Sequence, residues 1–342
     1  MISPTLMSVY FTGIQSSGNI LHLGNYIGSL LNLKNKIKTA SQNDKFIVMV
    51  ADLHSMTSVH NPAVLRENRI NLIATYFACG IQPSENVFFF TQSAIPAHSE
   101  LNWILTSICP LGLLERMTQY KDKVSKKKAE DINTGLLCYP ILMAGDILLY
   151  DSNYVPVGED QTQHMEFCRD MVNKFNHIYN VDNIFTMPEA LIDKTSKRIM
   201  SLGDGKAKMS KSVGTENDKI FLLDTDEAIA KKIKVAKTDS ITGIYSDQNR
   251  PEVSNLINIF SSISGQSVEE ISNTYRDKQT KVFKDDLTQL VISEISPIRE
   301  NILDYLKNNK DLLIQTIQDG NKRANDIAEK KLTAVKQVVG LL

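Results

Sequence analysis

The sequence predicts an α/β protein in which a parallel sheet covered by helices is followed by a helical C-terminal domain. Three observations carry this. Through the first two hundred residues short apolar runs alternate with helical patterns, as strand–helix–strand units and a helix-covered parallel sheet require. After about Leu223 helical patterns follow one another with few strand signals. Two segments rich in glycine and hydroxyl residues, around Gly13–Gly28 and Gly203–Ser212, fall where loops beside such a sheet would lie. The boundary is set between domains 1–223 and 224–342.

Val9–Ile14 is apolar and reads as a buried strand, and glycines and serines then make a tight turn. From Gly24 the spacing of Tyr26, Ile27, Leu30, Leu31 and Leu33 is helical. Phe46–Ala51 and Val87–Thr91 read as further buried strands, with Val64–Ala78 a helix between them. Ile141–Tyr150 is an apolar helix, and Tyr154–Val157 and Arg198–Leu202 are candidates for later strands. The second part offers helices at Ala228–Ala236, Val253–Ser264, Val268–Tyr275, Phe283–Leu306 and Leu312–Val339. In a doubly wound sheet ligands sit at the carboxyl ends of the strands, so segments distant in sequence can face one crevice.

Composition narrows the function. The chain has 342 residues, 42% hydrophobic and 23% charged, enough for a substantial core. A formal net charge of −1 excludes a blanket polyanion binder, so any nucleic-acid contact must use local basic patches. No apolar stretch approaches the roughly 18–20 residues that span a bilayer, and the N-terminal residues do not read as a secretory signal. No membrane partner and a cytoplasmic location are therefore expected. Cys79, Cys109, Cys138 and Cys168 lack CxxC spacing and read as reduced thiols, mostly buried. His164 and Cys168 sit four apart on a helix face but have no companion pair, so no resident metal site is expected.

The motifs point to phosphate chemistry. Strand, glycine-rich turn and helix N-terminus, at Phe11 through Gly28, aim free backbone N–H groups and the helix dipole at an anion. Gly24 would admit a nucleotide close to the backbone. His22 at the helix mouth can donate to a phosphate, or can cap the turn. Lys208-Met209-Ser210-Lys211-Ser212 presents two ammonium groups and two hydroxyls to one anion, from a loop expected to be mobile because Gly203 and Gly205 precede it. Neither GxxxxGK[ST] nor GxGxxG occurs. Asp146 lies in the apolar helix, and burying its charge needs a partner, whether in a salt bridge or on a ligand. Lys121, Lys123 and Lys126-Lys127-Lys128 form a basic cluster that is either a solvated loop or a phosphate contact.

Together His22-Leu23-Gly24-Asn25 and Lys208–Ser212 resemble the HIGH and KMSKS signatures of class I aminoacyl-tRNA synthetases. The segments Gly13-Ile14-Gln15, Glu115–Gln119, Met143–Tyr150, Val155–Gln161 and Gly265-Gln266-Ser267 are similar to the tryptophanyl-tRNA synthetase family of bacterial or organellar type, nearly end to end. That resemblance implies a Rossmann-like nucleotide-binding domain and a C-terminal anticodon-binding domain. It implies ATP, with Mg²⁺ on the nucleotide, activating L-tryptophan to tryptophanyl-adenylate for transfer to tRNA(Trp), and a homodimer. His22, Lys208 and Lys211 would act on the reacting phosphates. Gln15, Ser16, Ser17, Gly24, Asn25, Gly158, Glu159, Asp160 and Ile199 would line the ATP, with Lys208 through Ser212 and Lys123 on its phosphates. Asp146 would read the indole N–H, with Phe11, Tyr139, Met143 and Val157 on its faces and Gln161 at the amino-acid end. The sequence departs from the family at Asn25, at Ser16 in place of proline and at Gly145 in place of alanine. Rival readings are tyrosine activation on the same fold, a regulatory relative without aminoacylation, and a nucleotidyltransferase of the same superfamily.

Overall fold

The computed structural model describes residues 7–16, 21–58, 61–125, 132–192, 198–210 and 214–342. Ser17, Lys211, Ser212 and the Lys126–Lys128 cluster lie outside the described residues. Five strands form one all-parallel sheet in the order β3–β2–β1–β4–β5: β1 (Val9–Ile14), β2 (Lys45–Val50), β3 (Val87–Thr91), β4 (Tyr154–Pro156) and β5 (Glu189–Leu191). β1 and β2 stay in register from Val9 opposite Lys45 to Ile14 opposite Val50. The strand order reverses beside β1, so a crevice opens at the carboxyl ends of β1 and β4.

One expected strand is absent. Arg198–Leu202 makes a single antiparallel bridge, Met200 to Lys208, because it folds back on the lysine segment instead of joining the sheet. The fifth strand is Glu189–Leu191, a three-residue piece too short for its apolar pattern to register.

Side chains alternate across the sheet and build a core on each face. Tyr10, Phe46, Val48, Val50 and Phe89 pack on one side, and Val9, Phe11, Ile47, Met49, Phe88 and Phe90 on the other. The first face is covered by the helical run after the glycine turn and by α4. That run comprises α1 (Leu23–Asn25), a π-helical turn at Tyr26–Leu30 and α2 (Leu31–Thr39). A short α3 (Asp52–Ser55) follows β2, and α4 spans Pro62–Ala78, started by the Asn61 side chain and by proline in its first turn. The second face carries α5 (Ala97–Ile108), α8 (Thr134–Leu148) and α9 (Thr162–Tyr179), with the short α6 (Leu111–Glu115) and α7 (Thr118–Val124) leading into α8.

Helices α10 (Asp226–Val235), α11 (Pro251–Ser264), α12 (Val268–Tyr275) and α13 (Thr280–Asn308) follow. The first core runs into them without a break at residue 223: Ile229, Leu256, Leu287 and Ile295 belong to the same cluster as Tyr10 and Phe46. The last helix, α14 (Lys310–Val338), returns to the sheet and covers the outer edge of β3. Asn321 Oδ1 accepts the Thr91 backbone N–H at 3.0 Å, and the Arg323 guanidinium lies over the Phe88 ring. Ala324, Ala328, Leu332 and Val335 join the second core. Covering an edge strand removes its unpaired backbone groups from competing partners.

That contact leaves no room at Gly320, where an added Cβ would fall 1.7 Å from the Phe89 carbonyl oxygen. Gly320→Ala is expected to destabilise by more than about 2 kcal/mol, as overpacked sites do. Gly28→Ala, whose Cβ meets nothing within 4 Å, should be neutral. Paired thermal melts decide this, and equal melting points would refute the role given to Gly320.

Candidate active site

The glycine turn is held from two sides. Gln15, at the end of β1, is exposed, whereas Ser16 is buried. Ser16 Oγ lies 3.1 Å from Ser55 Oγ, and its carbonyl accepts Asn68 Nδ2 at 2.8 Å. Serine in place of proline is thus tied down through its own polar groups. His22 caps α1: its Nδ1 accepts the Asn25 N–H at 3.2 Å, while Asn25 Oδ1 accepts the His22 N–H at 3.2 Å. This reciprocal box gives Asn25 a structural job in the position where it departs from the family signature.

The two signatures meet. Leu23 N–H bonds to the Ile220 carbonyl at 2.8 Å and Leu222 N–H to the Leu21 carbonyl at 2.9 Å, with His22 bridging Phe221. An added Cβ on Gly24 would stand 3.1 Å from the His22 ring and 3.4 Å from Met209 Cβ. Met209 and Ile199 are buried in the first core, so they anchor the lysine segment from beneath. Lys208 is exposed on the rim and Ser210 half-buried beside it.

The glycines before Lys208 sit in close approaches. A Cβ on Gly203 would strike Asp218 Oδ1 at 2.2 Å, and one on Gly205 the Pro251 carbonyl carbon at 2.4 Å. Buried Asn255 on α11 adds a clamp. Its Oδ1 accepts Met200 N–H at 2.8 Å and its Nδ2 donates to the Met200 carbonyl at 2.9 Å. Polar bonds therefore join the segment before Lys208 to α11.

On the other wall lies Asp146, on α8 and 1% exposed. Its carboxylate is approached by three side chains from three different elements. His54 on α3 donates from Nε2 to Oδ2 at 2.8 Å, and His98 on α5 from Nδ1 to Oδ1 at 2.6 Å. Gln92, directly after β3, donates from Nε2 to both oxygens at 2.8 and 2.9 Å. Burial alone would raise the Asp146 pKa, but the hydrogen bonds and electrostatic pull of His54 and His98 outweigh it and hold it at about 2. Asp146 is therefore a buried carboxylate that stays ionised at neutral pH. His98 is held at its far end as well, where Nε2 lies 2.9 Å from the Tyr150 hydroxyl.

Tyr139 stands one ring away, edge-on to His54 with centroids 6.3 Å apart. Its hydroxyl donates to Gln119 Oε1 at 3.1 Å and accepts from His164 Nε2 at 2.8 Å. Burial, with Lys123 adding to it, lowers the His164 pKa to about 4, so this ring is neutral. His164 therefore helps to position Tyr139. Lys123 Nζ sits 5.0 Å over the Tyr139 ring. Phe11 stacks on Tyr150, and Met143 and Val157 border the same core half-buried. Gly158, Glu159 and Asp160 are exposed at the carboxyl end of β4, and Gln161 Nε2 donates to Asp160 Oδ2 at 2.9 Å. The structure thus brings His22, Gly24, Asn25 and Met209 together.

Sequence reasoning missed His54, Gln92 and His98. A usable signal existed: Asp52 and His54 follow the apolar run Phe46–Ala51, and Gln92 follows Val87–Thr91. Polar groups at the carboxyl ends of parallel strands are where ligands are met.

A crevice that offers backbone N–H groups and loop lysines, and a buried acceptor behind an aromatic wall, works by position and charge. Class I aminoacyl-tRNA synthetases are laid out in this way. The family model described as "tRNA synthetases class I (W and Y)" matches residues 6–295, and the chain belongs to this family of ligases. Among similar proteins, the tryptophan–tRNA ligase of Bacillus anthracis is 44% identical over 98% of both chains. The mitochondrial tryptophan–tRNA ligase of Dictyostelium discoideum is 42% identical over 97% of this chain and 95% of its own. A crystal structure of Campylobacter jejuni tryptophanyl-tRNA synthetase complexed with ADP and tryptophan superposes with a TM-score of 0.80 at 32% identity, covering 97% of this chain and 99% of that one.

The contact between the signatures can be tested at Gly24. Gly24→Ala crowds the His22 ring and the lysine segment together. The rate of ATP–pyrophosphate exchange should fall roughly 10–100-fold, as small misplacements of catalytic groups do. The melting temperature should change little. An unchanged rate would show that the close approach has no part in catalysis.

Proposed function

We propose that the chain is a tryptophan–tRNA ligase that activates L-tryptophan with ATP to tryptophanyl-adenylate and transfers it to the 3′ end of tRNA(Trp). The observation that carries the reading is the ionised, buried Asp146 beside Tyr139, Met143 and Val157, next to the signature loops. An indole is an apolar bicycle with one N–H, and this is an apolar-walled place with one charged acceptor. The relatives and the solved structure named above support the same substrates.

Little covalent chemistry falls to the protein. The tryptophan carboxylate attacks the α-phosphate, and the chain aligns the partners and neutralises charge on the departing pyrophosphate. Gln15, Ser16, Ser17, Gly24 and Asn25 line the nucleotide from one side, and Gly158, Glu159 and Asp160 from the other. Lys208, Lys211 and Ser210 take the terminal phosphates, with Lys123 in support. Mg²⁺ enters as part of the nucleotide substrate. Gln161 holds the amino-acid end, and Asp146 fixes the indole.

Tryptophan should drive ATP–pyrophosphate exchange, and tyrosine should not. Lys208→Ala should lower the exchange rate by roughly 10²–10³ with tryptophan affinity nearly unchanged. Exchange driven by tyrosine would sink the assignment. A weakened ATP affinity at full rate would reduce Lys208 to a docking group.

We assign residues 224–342 to the tRNA anticodon, although α14 also serves the sheet. Of the four lysines the sequence brings together here, two are engaged: Lys232 is buried on Asp224 at 2.6 Å, and Lys237 pairs with Glu252 at 3.1 Å. Lys231 and Lys234 are exposed and remain for phosphate. Reversing both charges should weaken tRNA binding, flatten its salt dependence and spare adenylate formation. Intact aminoacylation would show a merely solvated face. A homodimer and a cytoplasmic location complete the proposal. Trp103, 71% exposed on α5, and exposed Leu111 on α6 supply an apolar face for the dimer, which sedimentation reads directly. No helix among the described residues is long and apolar enough to cross a membrane.

A further inference from the structure

The Asp146 carboxylate accepts as many hydrogen bonds as it can. Each oxygen has two lone pairs. Oδ1 receives Gln92 and His98, and Oδ2 receives Gln92 and His54. An indole N–H can reach this carboxylate only if one donor leaves. The three donors are not equally held. Gln92 is fully buried, and its Oε1 accepts the N–H groups of Leu53 and His54, at 3.1 and 3.4 Å. His98 is fully buried and bonded through both ring nitrogens. The His54 side chain is 7% exposed, and among the described residues only its bond to Asp146 holds the ring, which turns its face toward the edge-on Tyr139.

We propose that His54 is a placeholder: it occupies the acceptor until an amino acid is bound and then gives it up to the substrate's indole N–H. This rests on the reading that Asp146 reads the indole. Two consequences follow for selectivity. Tryptophan must displace His54, so part of its hydrogen-bond gain is cancelled. An analogue without the N–H leaves His54 in place and leaves no buried charge short of a donor. His54 thus limits how strongly the site discriminates, while until then it keeps the site from holding a poorly satisfied buried anion.

The test compares equilibrium binding of L-tryptophan and 3-benzothienyl-L-alanine, in which sulfur replaces the indole N–H, by calorimetry without ATP. In His54→Leu the competitor is gone. Tryptophan should bind about 10-fold tighter, the analogue should bind as before, and the ratio of their Kd values should widen by about 10-fold, the worth of one charged hydrogen bond. His54→Gln, which keeps a donor, should return the ratio toward the native one. A ratio unchanged or narrowed in His54→Leu overturns the placeholder, because a residue that orients Asp146 moves the ratio the other way. Asp146→Asn separates the two claims. If it leaves the ratio unchanged, the indole reading itself fails. If it collapses the ratio while His54→Leu does not widen it, only the placeholder fails. Nitrogen-15 NMR of the native protein decides independently of how the variants fold. The His54 Nε2–H signal should shift on adding tryptophan and not on adding the analogue, and a signal blind to both overturns the exchange.

Discussion

The charge on Asp146 organises one half of the crevice. A carboxylate taken out of water is costly unless donors surround it. Here the donors come from the segment after β2, the segment after β3 and helix α5, while the carboxylate itself is on α8. Four elements are thereby drawn to one point at the carboxyl edge of the sheet. Further polar links spread from it. Asp52, two residues before His54, is buried and bonded to Ser93 and Arg69, which fixes α3 to the end of β3 and to α4. Tyr150 closes the far side behind His98 and stacks on Phe11 of β1. The wall that would face an amino acid is held together because its polar centre must be satisfied.

Much of this was legible in the chain. The three long strands are continuous apolar runs because both faces of a parallel sheet are covered, so their pattern is unambiguous. The helices after Leu223 show their stripes for the same reason: Phe283, Leu287, Val291, Ile295, Ile298 and Ile302 form the buried line of α13. Asp146 stood out as one charge in an apolar helix. What surrounds it did not, since His54, Gln92 and His98 lie far apart in sequence and only the topology unites them. Glu189–Leu191 was hidden by its brevity. The close approaches at Gly203 and Gly205 were not legible, because a sequence cannot distinguish a glycine needed for freedom from one needed for proximity.

The first core extends across residue 223. Helices α10 to α13 share the first core with the sheet, and Tyr26 of the π-helical turn donates its hydroxyl to Glu294 on α13. Asn255 ties the lysine segment to α11. Groups proposed to meet the nucleotide and helices proposed to meet tRNA are therefore in mechanical contact, through short polar bonds at defined residues. Any shift of α11 relative to the sheet would be felt first at Met200 and Ser201.

Helix α14 has a consequence for how the chain is made. It supplies the cover for β3, yet it follows β3 by about 220 residues in the order of synthesis. Until α14 has been made and released, β3 lies finished with its outer backbone groups unpaired, and such open edges recruit other chains. The interval before α14 docks is the moment when a nascent molecule is most exposed to aggregation. Crowded polysomes carrying neighbouring copies at the same stage would suffer most, and a holdase that shields β3 would relieve them.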